Sequence, residues 1–122
     1  MTVKVHYDMY HGHGEMDQAI ELLDNENRED FRRWVNTSQS FNANNVFICK
    51  SAKLYNDYCV SLFAWLEKCE ELFGFDPNRS YSRIRVYAFL SERYLSYWFK
   101  KNSNYIECPM NFHDITNDKI NF

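Results

Sequence analysis

The stretch Arg85-Val86-Tyr87-Ala88-Phe89-Leu90-Ser91-Glu92-Arg93-Tyr94-Leu95 constrains this chain more than any other. It is an aromatic, apolar helical pattern with an adjacent acid and base, Glu92 and Arg93, set into it. Charged side chains are rarely buried unless paired, because removing an ion from water is costly. A helix of this composition therefore keeps one edge in water or places the couple in a polar pocket. Both arrangements make it a core element.

The composition supports a packed core around such a helix. A chain of 122 residues holds one domain with a modest interior. An aromatic share of 18% favours packing over disorder, and three Gly with two Pro favour long regular elements over tight turns. The net charge of -3 gives no electrostatic reason to expect nucleic acid or an anionic membrane surface as partner. No apolar run approaches a membrane span and no signal-peptide pattern opens the chain, so a cytoplasmic protein is expected. Cys49, Cys59, Cys69 and Cys108 form no C-x-x-C pair, and reduced, mostly buried thiols are expected.

Periodicity predicts an α+β fold, mainly α-helical, with two long helices and a few short strands. Thr2 to Tyr7 alternates Val3 and Val5 with Lys4 and His6, as in a short strand. A Gly-interrupted turn, His11 to Gly14, leads into Met16, Ala19, Ile20 and Leu23, an amphipathic helix that fades at Asp24 to Asn27. Phe31, Trp34 and Val35 mark a second short helix, and the polar stretch Asn36 to Asn45 reads as a loop. Val46-Phe47-Ile48-Cys49 has the length and flanks of a buried strand. Two long helices follow, near Lys53 to Phe73 and Tyr81 to Lys101, with Ser51 and Ser80 as caps and Gly74 as the stop of the first. Tyr105 to Met110 fits an edge strand ending at Pro109. The domain is placed at residues 1–110, with a polar tail over 111–122.

Several residues carry chemistry as well as a plainer role. His11 and His13 alternate and, with His6, have ligand-type side chains, but the spacing matches no zinc module and suits a flexible polar turn. Asp17 lies in the first turn of a helix, where the dipole favours a carboxylate in any case. His13 just ahead of that helix and Asp17 one turn on are also placed to converge on a ligand such as a phosphate. Asn45, before the apolar run, either satisfies backbone groups or touches a ligand. Glu92 and Arg93 form a structural ion pair, meet solvent separately, or act in a pocket.

Three ordered blocks resemble a known family. His13-Gly14-Glu15-Met16-Asp17 matches a His, three residues, then Asp before a helix. Asn45-Val46-Phe47-Ile48 resembles an Asn-Met-Phe-Ile signature, and Arg85 to Tyr94 resembles Arg-Val-Phe-Gly-Phe-Leu-Ala-Glu-Arg-Leu. In this order they resemble the glycosyltransferase-like proteins of bacterial capsule and exopolysaccharide gene clusters, the domain of unknown function 4422. The likeness runs from about His6 to Met110, with Ala88 for the family's Gly and Val46 for its Met.

The resemblance implies sugar transfer from a nucleotide sugar to a polysaccharide or lipid-linked acceptor, in cell-surface polysaccharide biosynthesis at the inner face of the membrane. It implies that this chain corresponds to the C-terminal half of a GT-A-like α/β glycosyltransferase domain. A separate N-terminal half would be the partner, and the isolated chain is expected to be inactive. No cofactor is assigned, although a divalent metal, Mn or Mg, would serve the intact enzyme. Asp8-Met9-Tyr10 supplies no Asp-x-Asp for it. By position, Asp17 and Glu92 are the catalytic carboxylates. His13, Asn45, Arg85 and Arg93 are the substrate-binding residues. The competing expectation is a non-catalytic helical interaction module that pairs with another subunit.

Overall fold

Thr2 starts the first helix: its hydroxyl accepts from the Val5 N–H, a side-chain cap for one of the orphan amides of a helix start. The computed structural model describes residues 1–111, and the structural statements below concern those residues. Six helices follow in order, α1 (Val3–Tyr10), α2 (Glu15–Glu21), α3 (Asn25–Thr37), α4 (Ala52–Phe73), α5 (Tyr81–Ile84) and α6 (Val86–Asn102). No strand occurs among the described residues. The expected α+β class and the GT-A-like α/β fold are therefore both incorrect. This architecture is all-helical.

Each expected strand fails for its own reason. Thr2 to Tyr7 belongs to α1, where Val3 and Tyr7 are buried one turn apart and Lys4 pairs with Asp8 at 2.7 Å. The Val3/Val5 alternation is incidental, since Val5 is exposed. Val46 to Cys49 is an irregular surface segment, with Val46 66% and Ile48 96% exposed. Asn44 and Asn45 ahead of it adopt left-handed backbone (φ 72° and 51°), a conformation that Asn tolerates and a strand does not. Phe47 turns inward, onto Tyr58 and Phe99, and Cys49 is half-buried. Tyr105 to Met110 is exposed and irregular, with no sheet whose edge it could extend. The expected tail, 111–122, lies outside the described residues apart from Asn111.

The first long helix forms as its cap and stripe predict, whereas Ser80 makes no side-chain cap and the expected helix Tyr81 to Lys101 is divided. Ser51 Oγ accepts from the Leu54 N–H at 3.1 Å, and Gly74 ends α4 at φ 69°, open to glycine. Tyr58, Leu62, Trp65 and Cys69 are the buried face of α4. The second stripe is interrupted at Arg85, so Tyr81–Ile84 is a separate turn and α6 starts at Val86. Asp24 caps α3 by accepting from the Asn27 N–H at 2.9 Å, which makes the polar run Asp24 to Asn27 a helix start.

α6 is the central helix. Val86, Phe89, Leu90, Ser91 and Arg93 through Trp98 are all buried, so it is enclosed on nearly every side. α4 covers one flank, where Trp65 meets Tyr94 and Tyr58 meets Trp98. α3 covers another through Phe31, which touches both Tyr94 and Tyr97. α1 reaches it through His6, and the loop after α3 lies along a third side. Of the four free cysteines Cys69 is buried, Cys49 and Cys59 are half-buried and Cys108 is exposed, so the expectation of mostly buried thiols holds only in part. Burial pushes the Cys69 thiol up to about 12, which keeps it protonated and inert.

Candidate functional site

Because α6 is enclosed, an arginine at position 93 must be sealed in with it. Arg93 is 1% exposed. One terminal nitrogen donates to Phe89 O (2.9 Å) and to Glu92 Oε2 (3.3 Å), and the other lies 3.1 Å from His6 Nδ1. The guanidinium sits over the Phe41 ring (4.4 Å to the centroid) and beside Tyr7 (5.3 Å). Its Nε is buried without a partner. Burial holds the Arg93 pKa below its usual value, against the opposing attraction of Glu92. Burial also lowers His6, and the positive Arg93 adds to that. The couple that the sequence left open is thus an ion pair, with a buried base and a nearly buried acid.

The loop between α3 and α4 is pinned over the same helix. The Asn42 N–H donates to Ser96 Oγ at 2.7 Å. Ser91 Oγ donates to Asn45 Oδ1 at 2.9 Å, and Asn45 Nδ2 donates to Ala88 O at 3.3 Å. Asn45 therefore satisfies polar groups of α6 and fixes the loop one turn from Glu92. Arg85 stands apart at the exposed start of α6, hydrogen-bonded to the Tyr81 hydroxyl and stacked near Tyr81 and Phe89.

His13 and Asp17 belong to a second cluster, at the α1–α2 corner. Lys4 bridges Asp8 (2.7 Å) and Asp17 (3.1 Å), and Asp8 first, then Asp17, raises the Lys4 pKa. Asp8 also accepts from the Gly14 N–H at 3.4 Å, and His13 Nδ1 lies 3.9 Å from its other oxygen. The His13 side chain is 91% exposed and that of Asp17 55% exposed. Neither residue hydrogen-bonds or ion-pairs with Glu92 among the described residues. His11 and His13 diverge: His11 stacks on Phe89 with centroids 3.8 Å apart. Burial, then Arg93 and His6, bring its pKa down to about 4.

Beside this corner Glu15 is buried, accepting from the Tyr7 hydroxyl at 3.3 Å and paired with Arg83. A Cβ at Gly12 would lie 2.5 Å from Glu15 Oε2, so glycine there admits the carboxylate. Burial raises the Tyr7 pKa despite the nearby Arg93 and Arg83. Among the described residues no three His, Cys, Asp or Glu side chains are grouped to hold a metal ion. Asp8 and Asp17 both hold the Lys4 ammonium, and these residues do not fit a divalent cation.

The sequence reading assigned neither His6 to Arg93 nor Arg83 to Glu15, and it gave Lys4 no role. His6 and Arg93 are 87 positions apart, beyond any local pattern. A signal was present for Glu15: an acid three residues after Gly12, whose missing Cβ leaves the carboxylate room.

No curated protein and no solved structure matches the chain. A family model described as a domain of unknown function, DUF4422, matches residues 1–103. With most of its length matched, the chain belongs to the DUF4422 family, whose function its description leaves open.

Proposed function

We propose that this chain takes part in sugar transfer from a nucleotide sugar during bacterial capsule, exopolysaccharide or lipopolysaccharide assembly, supplying part of a shared site. The observation that carries the proposal is the Glu92–Arg93 couple, enclosed within α6 and overlaid by the Asn45 loop. Glycosyl transfer needs a carboxylate to deprotonate the acceptor hydroxyl and positive charge to stabilise the departing nucleoside diphosphate. Glu92 and Asp17 are the two base candidates. Arg93 is sealed, so its charge reaches a leaving group through neighbours, whereas the exposed Arg85 meets one directly. A second reading, a non-catalytic helical module that pairs with another subunit, draws on the exposed apolar residues Val46, Ile48, Val60, Phe63 and Phe75.

The carboxylates a donor's metal would need are already engaged: Asp8 and Asp17 by Lys4, Glu15 by Arg83 and Glu92 by Arg93. Isothermal calorimetry of this chain with uridine and guanosine diphosphate sugars and Mn²⁺ should therefore show no saturable, metal-dependent heat. Tight metal-dependent binding would place a whole donor site on this chain and overturn the shared-site proposal.

A further inference from the structure

A groove of about 330 Å³ opens at the start of α1, lined in part by Thr2, His6, Gln39, Ser40 and Phe41. Its chemistry follows from Arg93 behind it. A guanidinium only donates hydrogen bonds and stays charged in proteins. His6 Nδ1, 3.1 Å from an Arg93 nitrogen, must therefore accept, so it carries no proton. The imidazole proton is then on Nε2. That nitrogen has no hydrogen-bond partner among the described residues and is not sealed from solvent.

Thr2, on the same groove, can donate as well. Thr2 Oγ accepts from the Val5 N–H, which leaves its own proton to donate elsewhere. Arg93 adds a positive charge behind the imidazole, with its Nε–H buried and unpartnered. The acid in contact with this cluster is Glu92, which Arg93 already holds. Donors backed by a fixed cation suit a ligand that only accepts.

We infer that this groove is an oxyanion site, fitted to a phosphate or pyrophosphate group, with His6 Nε2–H as its fixed donor. The assignment stands on the donor set and does not depend on sugar transfer. The role assigned to His6 is direct contact with the ligand, and Arg93 is a positioning residue that sets the tautomer.

Long-range ¹H–¹⁵N correlation of the full chain, titrated with inorganic pyrophosphate and with uridine diphosphate, tests it. The free protein should show His6 protonated at Nε2 alone. Either probe should give saturable shifts at His6, Thr2 and Ser40, the two probes separating a free oxyanion from one carried by a nucleotide. His6→Ala should weaken binding by about tenfold or more, the usual worth of a hydrogen bond to a charged group. His6→Gln, which keeps an amide N–H near the Nε2 position, should retain most of it. Ser40→Ala, which removes none of the Arg93 hydrogen bonds, should weaken binding without disturbing the fold. An Nδ1–H tautomer, no saturable shift with either probe, or affinity unchanged in both His6→Ala and Ser40→Ala would overturn the site.

Discussion

Arg93→Ala is expected to cost this domain about 3–5 kcal/mol, the range for breaking a buried charge pair by removing one partner. The substitution strips Glu92 and His6 of their donor and empties the space between Phe41 and Tyr7. At roughly 3–6 °C per kcal/mol for a domain of this size, the melting temperature should fall by on the order of 10–30 °C. Thermal melts followed by circular dichroism at 222 nm (a wavelength, about 222 nm, at which helix dominates the signal) give the number. Arg93→Lys should recover little, because an ammonium lacks the planar fork that reaches Phe89 O, Glu92 and His6 together. A loss below about 1 kcal/mol would mean that the guanidinium is not enclosed as described.

Phe31→Ala should be comparably damaging, about 3–5 kcal/mol, for a different reason. Phe31 is fully buried and holds three elements together. Its ring meets Trp65 edge-on at 5.6 Å from α4, and Tyr94 (5.5 Å) and Tyr97 (5.1 Å) from α6. Aromatic pairs of this kind add about 0.5–1.5 kcal/mol beyond the apolar area they bury. These three rings and Trp34, stacked on Phe31 at 6.0 Å, cannot all close on the vacated space, so a cavity remains. Denaturant unfolding should show the loss with an unchanged slope, and the near-ultraviolet signal of the cluster should weaken. A variant as stable as the parent would show that these rings do not form the centre of the core.

The legible parts of this fold were those governed by local chemistry. Ser51, Gly74 and the stripe Tyr58, Leu62, Trp65, Cys69 place α4 to within a residue, because a cap, a stop and a 3.6-residue period agree. α1 was misread because eight residues carry too few repeats to separate periods, and Val3 with Val5 imitates alternation. The informative spacing there was Val3 to Tyr7 with Lys4 to Asp8, both one helical turn. Val46 to Cys49 was misread because apolar composition says nothing about a partner strand, and no strand exists among the described residues to pair with it.

The site was legible in the same measure. That Glu92 and Arg93 pair was one of the alternatives the sequence allowed, since an enclosed helix leaves a charge no other stable option. Asn45 holding polar groups was likewise foreseen as an alternative, although it serves α6 and not a strand end. What the sequence could not supply was which residue completes the Arg93 shell. His6 reaches it only through the packing of α1 on the bundle, a tertiary fact without a local pattern.

Glu92 is where the functional proposal is most exposed. Among the described residues Glu92 pairs with Arg93, which keeps Phe89 O and His6 but loses its counter-charge when the carboxylate becomes an amide. In a family member with measurable sugar transfer, Glu92→Gln at the matching position should remove most turnover of the folded enzyme, with some loss of melting temperature because the sealed Arg93 loses its counter-charge. Full activity together with a loss of several degrees would make Glu92 a packing residue and contradict its catalytic assignment.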